Sequence, residues 1–297
     1  MAHRQLYESA SSRGGRLDVF SPIFLTYVPQ PPLAAFVNMF WFHECCEPPH
    51  AKERRLPDGS IQLTINLRED VLRVYDRQDH EQFQSFSGCL LSGMRSQFVV
   101  IDAARLTSTI GVTFKPGGTI PFFKLPADEL YDINVPLEAL WGTAASDLRN
   151  QLLEARTPER KFHILEQALL AHVIHPLTQH PAVAFALTEF QRELPYPYPG
   201  TIADVTERIG LSSKRFIQVF REEVGLTPKL FCRIQRFQEV LRRIRQGEQI
   251  DWADIALTCG YFDQAHCIHD FRAFSGITPG SYLAQRGEHQ NHVALLD

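Results

Sequence analysis

Three side chains that can hydrogen-bond nucleic acid lie at helical spacing. Lys214, Gln218 and Arg221 are four and three residues apart, so a helix would present them on one face. Lysine and glutamine can hydrogen-bond the edges of guanine or adenine, and all three side chains can reach a phosphate. The alternative is a solvated face of the kind that any surface helix carries. The spacing alone therefore predicts a polar helix face that is able to contact DNA.

The same stretch has the residues that start, bury and end a helix. Ser212 is a typical N-cap residue, and Gly225 can adopt the left-handed conformation that ends a helix. Thr227 then caps a new helix whose first residue is Pro228. The face opposite Lys214 is apolar and consists of Phe216, Val219, Phe220 and Val224. We therefore expect a helix of about a dozen residues, buried on one side.

A second copy of this pattern follows 51 residues later. The matching residues are Ser212 with Asp263, Phe220 with Phe271, Arg221 with Arg272, Gly225 with Gly276, and Thr227 and Pro228 with Thr278 and Pro279. Each copy follows a short segment of helical period that ends at a glycine, Gly210 or Gly260. Thr201 and Asp204 have the spacing of a capping box for the first of these segments. The sequence thus predicts two helix-turn-helix units, whose second helices can enter the major groove.

A single helix is expected to connect the two units. Residues 228–245 carry one apolar stripe, made of Phe231, Ile234, Phe237, Leu241 and Ile244, and arginines on the rest of the surface. At 1.5 Å per residue such a helix spans about 27 Å. Two groove-reading helices on one face of B-DNA should lie about 34 Å apart. The length of the connecting helix fits that spacing, and its arginines are expected to contact the DNA backbone.

At these residues the sequence resembles the paired helix-turn-helix domain of the AraC/XylS family of bacterial transcription regulators. The strongest matches are the repeated glycine, the ending ITPGSYL and the run GYFDQAHCIHDF. The resemblance covers residues from about 200 to 285. Family members more often have an apolar residue and an arginine where this chain has Cys267 and His269. The resemblance implies a regulator that binds double-stranded DNA.

The candidate DNA-binding residues follow from the two predicted recognition helices. In the first unit they are Ser212, Ser213, Lys214, Arg215, Ile217, Gln218 and Arg221. In the second they are Asp263, Gln264, Ala265, His266, Ile268, His269 and Arg272. Ile268 could contact a thymine methyl group, and His269 could donate to a phosphate or a base.

Charge is distributed unevenly between the two units. The whole chain has a net charge of −4, which argues against a general nucleic-acid coat protein. Residues 200–246 have ten Lys/Arg against five Asp/Glu, whereas residues 247–297 have two against seven. The first unit and the connecting helix should therefore supply most of the attraction to phosphate. Alternatively, the acidic second unit faces another protein, such as RNA polymerase.

The N-terminal half has strand patterns followed by helical ones. Residues 61–67 alternate apolar and polar side chains, as a half-buried strand does. Further strands are expected at 71–75, 98–101 and 107–114, and helices at 137–153, 160–174 and 182–194. Short strands with Gly and Pro turns favour a small β-barrel or sandwich. The stretches RRLPDGSIQLTINL and GVTFKPGGTIPFFKLPADEL resemble a cupin-like domain found in front of AraC-type domains, without a defined ligand.

The predicted fold class is α+β with two domains. The N-terminal domain is a β-rich barrel or sandwich with helices, and the C-terminal domain is an all-α double helix-turn-helix domain. The expected divisions are a disordered tail at 1–18, a sensing or oligomerisation domain at 19–175, a linker helix with a Pro-rich connection at 176–199, the DNA-binding domain at 200–285 and a tail at 286–297.

One cluster of metal-capable side chains offers an alternative chemistry. His43, Glu44, Cys45, Cys46 and His50 include thiols and imidazoles, which suit zinc or copper. Adjacent cysteines lack the CxxC spacing of structural zinc sites, and no second pair complements them. A loop after a core strand is the simpler interpretation. No metal site or cofactor is predicted.

Other motifs do not indicate an enzyme. Asp58 and residues 115–118 have the composition of turns, and no GxSxG, HExxH or phosphate-binding glycine loop is present. No run of 18 apolar residues occurs, so we expect no membrane partner and a cytoplasmic location.

These observations predict a sequence-specific DNA-binding transcription regulator without catalytic activity. Its first domain would modulate DNA binding, and an unknown small-molecule effector, RNA polymerase and a second copy of the chain remain open as partners. The alternative is a metal- or redox-responsive sensor, or an adaptor whose second unit docks a protein. The sign of regulation stays open, because activators and repressors both use this domain.

Overall fold

The computed structural model describes residues 7–8, 22–46, 48, 50–191, 202–246, 250–287 and 289–295. Its strands are β1 (Tyr7–Glu8), β2 (Ile23–Tyr27), β3 (Val37–Glu44), β4 (Lys52–Arg55), β5 (Gln62–Asn66), β6 (Leu72–Tyr75), β7 (Phe83–Phe86), β8 (Cys89–Ser92), β9 (Val99–Asp102), β10 (Ser108–Phe114), β11 (Asn134–Pro136) and β12 (His292–Ala294). One sheet has the order β1-β2-β3-β10-β5-β8-β11, and the other has the order β12-β4-β9-β6-β7. The β-rich N-terminal fold expected from the sequence is confirmed.

Successive side chains of β5 point alternately to the two faces of the first sheet, which differ in burial. Leu63 and Ile65 are fully buried, whereas Thr64 between them points to the opposite face and is half-buried. Leu63 pairs with Val112 of β10 and Leu91 of β8, so this buried face is continuous across the centre of the sheet. The opposite face, with Thr64, looks toward the second sheet. The first sheet thus has an apolar face under helices and a more polar face inside the sandwich.

Four helices follow the strands of the N-terminal half. They are α1 (Leu137–Trp141), α2 (Thr143–Glu154), α3 (Pro158–Ala171) and α4 (Pro181–Gln191). Phe162 of α3 stacks on Phe40 of β3, with ring centroids 6.5 Å apart, and thereby covers the buried face of the first sheet. The sequence predicts one helix at 137–153, but the chain breaks at Gly142, whose φ is 60°. Glycine accepts this conformation without a Cβ penalty, and the helix restarts one residue later.

The C-terminal domain contains six helices within the described residues. They are α5 (Ile202–Ile209), α6 (Ser213–Val224), α7 (Pro228–Gln246), α8 (Trp252–Thr258), α9 (Gln264–Ser275) and α10 (Pro279–Gln285). The order and lengths confirm the predicted all-α double helix-turn-helix domain. The predicted capping role of Thr201 lies outside the described residues.

The two chain ends differ from expectation or lie partly outside the described residues. A tail is expected at 286–297, but β12 pairs with β4, and Val293 is fully buried. The C-terminal segment therefore extends a sheet of the N-terminal domain. Of the tail expected at 1–18, only Tyr7–Glu8 is described, and it pairs with β2. The connection expected at 176–199 contains α4, and its part after Gln191 lies outside the described residues.

Among the segments of the N-terminal domain that contact the DNA-binding domain are two that we call loop 93–98 and turn 57–60. The backbone N–H of Phe98 donates to the carbonyl oxygen of Phe274 in α9, at 2.9 Å. In turn 57–60, the carbonyl oxygen of Pro57 accepts a hydrogen bond from Nε2 of Gln238 in α7, at 2.7 Å. The two domains are therefore packed together through backbone groups as well as side chains.

Candidate nucleic-acid interface

The first recognition helix, α6, is bounded by the predicted residues. The Ser212 hydroxyl oxygen accepts a hydrogen bond from the backbone N–H of Arg215, at 3.3 Å. Gly225 ends the helix with φ 90°, in the region that only glycine enters at little cost. The predicted apolar face is buried and packs ring against ring, with Phe216 and Phe220 5.8 Å apart. Burial of this face turns the polar face outward.

The second recognition helix, α9, has the same construction. The Asp263 carboxylate accepts a hydrogen bond from the backbone N–H of His266, at 2.7 Å. Gly276 ends the helix with φ 72°, and the Thr278 hydroxyl caps α10 by accepting from the N–H of Ser281. Both units of the repeat therefore have the same local structure, as their matched residues predict.

All but one of the fourteen predicted contact residues are exposed. In the first unit these are Ser212, Ser213, Lys214, Arg215, Ile217, Gln218 and Arg221. In the second they are Asp263, Gln264, Ala265, His266, His269 and Arg272, and Ile268 is half-buried. Each set lies on one helix and its N-cap, so the structure brings the members of each set together.

Neighbouring carboxylates already engage part of the α6 face. Nη2 of Arg221 lies 3.4 Å from Oδ2 of Asp128, which belongs to the short 3-10 turn Ala127–Leu130 of the N-terminal domain. Nε2 of Gln218 donates to Oε1 of Glu222 at 2.8 Å. A phosphate approaching Arg221 would therefore compete with a carboxylate of the other domain. This contact was not foreseen, because sequence alone does not place residues 93 positions apart beside each other.

The exposed face of α9 is less polar than that of α6. Ala265, Ile268, His269, Arg272 and Ala273 line a shallow concavity on it. His266 packs edge-on against Tyr261, with ring centroids 5.2 Å apart. The ring nitrogen Nδ1 of His269 lies 3.7 Å from Oδ1 of Asp270.

A buried ion pair connects α7 to α9 and was missed in the sequence. Nη2 of Arg233 donates to Oδ1 of Asp270 at 2.6 Å, and Nε donates to Oδ2 at 3.2 Å. The Asp270 side chain is only 2% exposed. Arg236 of α7 also turns inward and donates to the carbonyl oxygen of Gly260. Two arginines of the connecting helix therefore hold the second unit, although backbone contact was expected for the arginines of this helix. The available signal was the acid at the buried helical position before Phe271.

Cys267 belongs to the core of the second unit. It is 1% exposed, and burial raises the pKa of its thiol to about 11. Burial likewise raises the pKa of Cys259 to about 12. Both thiols are protonated at neutral pH and act as small apolar groups.

The metal-capable cluster near residue 45 does not come together. Within the described ranges, no group of three histidine, cysteine or acidic side chains is arranged to hold a metal ion. Cys45 is buried and Cys46 exposed. His50 instead contacts Glu53, which also accepts a hydrogen bond from His292 of β12 at 2.7 Å. Burial would raise the pKa of Glu53, but the hydrogen bonds and charges of His292 and His50 hold it at about 2.

Comparison with known families supports the two-domain assignment. Residues 205–285, which run from within α5 to the end of α10, match a family described as a helix-turn-helix domain. Residues 25–136 match a family described as a domain of unknown function, DUF6597. The helix-turn-helix domain is of the AraC type. The protein is therefore a DNA-binding transcription regulator, and its N-terminal domain is β-rich.

Solved structures of ToxT from Vibrio cholerae are distantly similar to this chain. A ligand-free lysine-to-alanine variant of ToxT from Vibrio cholerae strain SCE256 is 11% identical, with a TM-score of 0.43 over 84% of this chain and 97% of that chain. ToxT from the same strain with bound unsaturated fatty acid is 10% identical, with a TM-score of 0.42 over 82% and 93%. No curated protein sequence matches the chain. Among the described helices, none combines the length and apolarity needed to span a membrane.

Proposed function

We propose that the protein binds double-stranded DNA by placing α6 and α9 in two successive major grooves, and that its N-terminal domain modulates this binding. One observation supports the proposal above the others. The two helices start, end and expose their polar faces in the same way, although they lie 51 residues apart in the chain. A repeated, exposed helix of this kind is suited to two equivalent half-sites.

Within α6, the side chains divide by position and chemistry. Lys214 and Gln218 lie toward the N-terminal part of the helix, which enters the groove in helix-turn-helix proteins, and they would contact base edges. Arg215 and Arg221 would bind phosphates beside the groove. In α9, Ile268 would contact a thymine methyl group, and His269 and Arg272 would donate to bases or phosphates.

The connecting helix would set the distance between the grooves. α7 has 19 residues and therefore spans about 28 Å. The bidentate pair of Arg233 with Asp270 attaches α9 to this helix at a fixed orientation. A rigid connection favours DNA whose two half-sites are one turn apart over DNA with any other spacing.

The second unit also has features that favour a protein partner. Phe262, just before α9, is 83% exposed, and Leu257 of α8 is 49% exposed. The adjoining α9 face contains Ala265 and Ala273 beside one permanent cation, Arg272. An apolar, acidic unit of this kind could dock RNA polymerase while α6 alone reads DNA.

Footprinting of the DNA upstream of the gene separates the two functions. We expect protection of two successive major grooves that survives competitor DNA. Insertion of about five base pairs between the half-sites, which rotates one by half a turn, should abolish binding of the second unit. Protection of one groove only, insensitive to the insertion, would instead support the protein-docking function of the second unit.

Matched variants test the two helices individually. Gln218→Ala and His269→Ala should each weaken specific binding about tenfold, as the loss of one base contact does. The controls are Gln151→Ala in α2 and His175→Ala, which change the same exposed residue types in the N-terminal domain. Unchanged affinity of the Gln218 variant would contradict base reading by α6.

A further inference from the structure

Strand β7 lies at an open edge of the second sheet. It pairs with β6 on one side, and no other strand of the described chain pairs with it on the other side. Phe83, Gln84 and Ser85 are exposed, and the exposed fraction of Phe83 is 45%. An edge strand of this kind offers its unpaired backbone groups to any strand that can align with it.

The register between β6 and β7 determines which backbone groups of β7 face the open side. The N–H of Asp76 donates to the carbonyl oxygen of Gln82 at 2.9 Å, so these two residues form a hydrogen-bonded pair. Hydrogen-bonded pairs alternate along an antiparallel ladder, so every second residue of β7 counted from Gln82 bonds to β6. The N–H and C=O groups of Phe83 and Ser85 therefore point away from β6.

Other ends of the sheets carry a protection that β7 lacks. At the opposite end of the second sheet, β4 is covered by the C-terminal strand β12. In the first sheet, β11 includes Pro136, which has no N–H to donate, and the chain continues directly into α1. β7 has the sequence FQSF, without a proline or a charged side chain. Natural proteins use such residues to prevent pairing between sheet edges, so β7 is open to pairing.

A second copy of the chain can align with β7 about a two-fold axis. Opposite residues of an antiparallel pair point to the same face, so an axis that relates two identical strands must pass through a residue. With the axis at Gln84, Phe83 lies opposite the partner's Ser85, and each of these pairs exchanges both of its backbone hydrogen bonds. An axis at Ser85 would require Ser87, which lies beyond the end of β7 and donates its hydroxyl to Glu138 of α1 at 2.7 Å.

The side chains of β7 suit pairing with an identical strand. Two-fold symmetry brings like residues together, so a charge in the strand would approach its own copy, and β7 has none. Phe83 contacts the guanidinium group of Arg73, 4.6 Å from its ring centroid, and the ring of Tyr75, 5.5 Å between centroids. The two Phe83 rings would lie diagonally across the axis, within reach of each other. A strand without charges gives a partner of another sequence no charge to match, so a second copy is the occupant that fits.

We propose that β7 pairs antiparallel with β7 of a second copy, with Gln84 at the two-fold axis, and that the second sheets of the two molecules thereby form one continuous sheet. This inference does not depend on the DNA-binding function proposed above. One short strand buries less than the roughly 1,200 Å² of surface at which stable interfaces begin. The association is therefore weak, with a Kd on the order of 10–100 μM.

Analytical ultracentrifugation of the full-length protein tests the association. Between about 1 and 500 μM, the wild-type protein should change from monomer to dimer, because this range spans the expected Kd. A wild-type protein that stays monomeric up to the highest concentration would overturn the proposal.

A charge in the strand assigns the association to β7. Ser85→Lys places a cation beside Arg73, its neighbour in β6, and close to its own copy across the axis. This variant should raise the Kd of association at least about tenfold, as lysines on edge strands prevent pairing. The matched control Ser146→Lys adds the same charge at an exposed position of α2 and should associate like the wild type. A dimer that Ser85→Lys leaves intact would reject β7 as the interface.

Disulfide trapping tests the position of the axis. In a Cys46→Ser background, which removes an exposed thiol, oxidised glutathione should convert Gln84→Cys into a covalent dimer. The Cα atoms of the two residues at the axis lie about 4.5 Å apart, within the range that a disulfide spans. The matched control Gln82→Cys changes an exposed residue of the same type, but its Cα would lie about 14 Å from that of its copy. Equal trapping at both positions, or none at residue 84, would refute the pairing.

Discussion

At the scale of single residues, helical spacing determines which side chains of α6 and α9 are exposed, whereas tertiary contacts determine the groups beside them. Lys214, Gln218 and His269 are exposed as their helical spacing requires, because the apolar stripe opposite them fixes which face is buried. Asp128 and Asp270 escaped detection, since an ion pair across domains or helices depends on tertiary contacts that period and capping do not specify. Local rules predict a helix face, and they leave open which groups touch it.

The contact between Arg221 and Asp128 leads to a prediction about affinity. Asp128→Asn should strengthen binding to DNA about twofold to fivefold, because it removes the carboxylate that competes with phosphate for Arg221. The measurement is a DNA titration at low and moderate salt. Asp147→Asn removes an exposed carboxylate from α2 and serves as the control. Equal gains in both variants would show that only net charge matters.

The two units also differ in charge, which predicts that their matched arginines contribute unequally to DNA binding. Arg221→Ala should weaken DNA binding more than Arg272→Ala does, because the first unit lies in the basic part of the chain and the second in the acidic part. Both side chains are exposed, so neither change should disturb the core. Titrations at two salt concentrations would measure both losses. Equal losses would contradict the argument from charge distribution.

At the scale of elements, prediction succeeded where a local signal marks a boundary. Ser212, Asp263, Gly225 and Gly276 start and end the recognition helices as their types require. Prediction failed for β4, because its sequence KERR has no apolar alternation. This strand is held by pairing with β9 and β12. Strand pairing is a non-local property, and a charged strand gives no sign of it.

The helix-ending glycines predict an effect on domain packing. All three of Gly210, Gly225 and Gly276 have positive φ, so alanine at each costs about 1–2 kcal/mol of backbone strain. A Cβ at Gly276 would also collide with Phe98 of loop 93–98, whereas one at Gly210 meets nothing within 4 Å. Gly276→Ala should therefore loosen the contact with α9, and Gly210→Ala should not.

Hydrogen exchange would measure that difference. The N–H of Phe98, bonded to the carbonyl oxygen of Phe274, should exchange faster in Gly276→Ala than in Gly210→Ala at matched global stability. Equal protection in the two variants would mean that the domains stay docked without this contact.

The ion pair between α7 and α9 predicts a loss of stability. Arg233→Met should destabilise the protein by about 3 kcal/mol, because the Asp270 carboxylate would remain buried without its partner. We place the value at the low end because Arg233 itself is partly exposed. Urea unfolding would measure the loss, and the double variant Arg233→Met with Asp270→Leu should recover part of it. A double variant no more stable than the single one would contradict this account.

At the scale of the whole molecule, the C-terminal strand β12 pairs with the N-terminal domain. β12 adds to the sheet of β4, and His292 hydrogen-bonds Glu53 across 239 residues of chain. Through this contact the segment after the DNA-binding domain becomes part of a sheet of the N-terminal domain. The family match at 205–285 ends before β12, and the low apolar content of the segment hid its role.

The lowered pKa of Glu53 predicts how the contact between β4 and β12 depends on pH. Its folded pKa of about 2 lies below the ordinary value of 4.5, so the carboxylate stabilises the fold above pH 4.5 and this contribution disappears as the pH falls toward 2. Glu53→Gln should therefore lower the free energy of unfolding by up to about 3 kcal/mol near pH 6. The deficit should shrink below pH 4.5, where the wild-type carboxylate is no longer favoured to the same extent. Urea unfolding from pH 6 to pH 3 would show this convergence, and Glu154→Gln, which changes an exposed glutamate of α2, is the control. A deficit independent of pH would mean that Glu53 acts through packing. The contact between the two domains at β12 would then depend on the backbone of β12 alone.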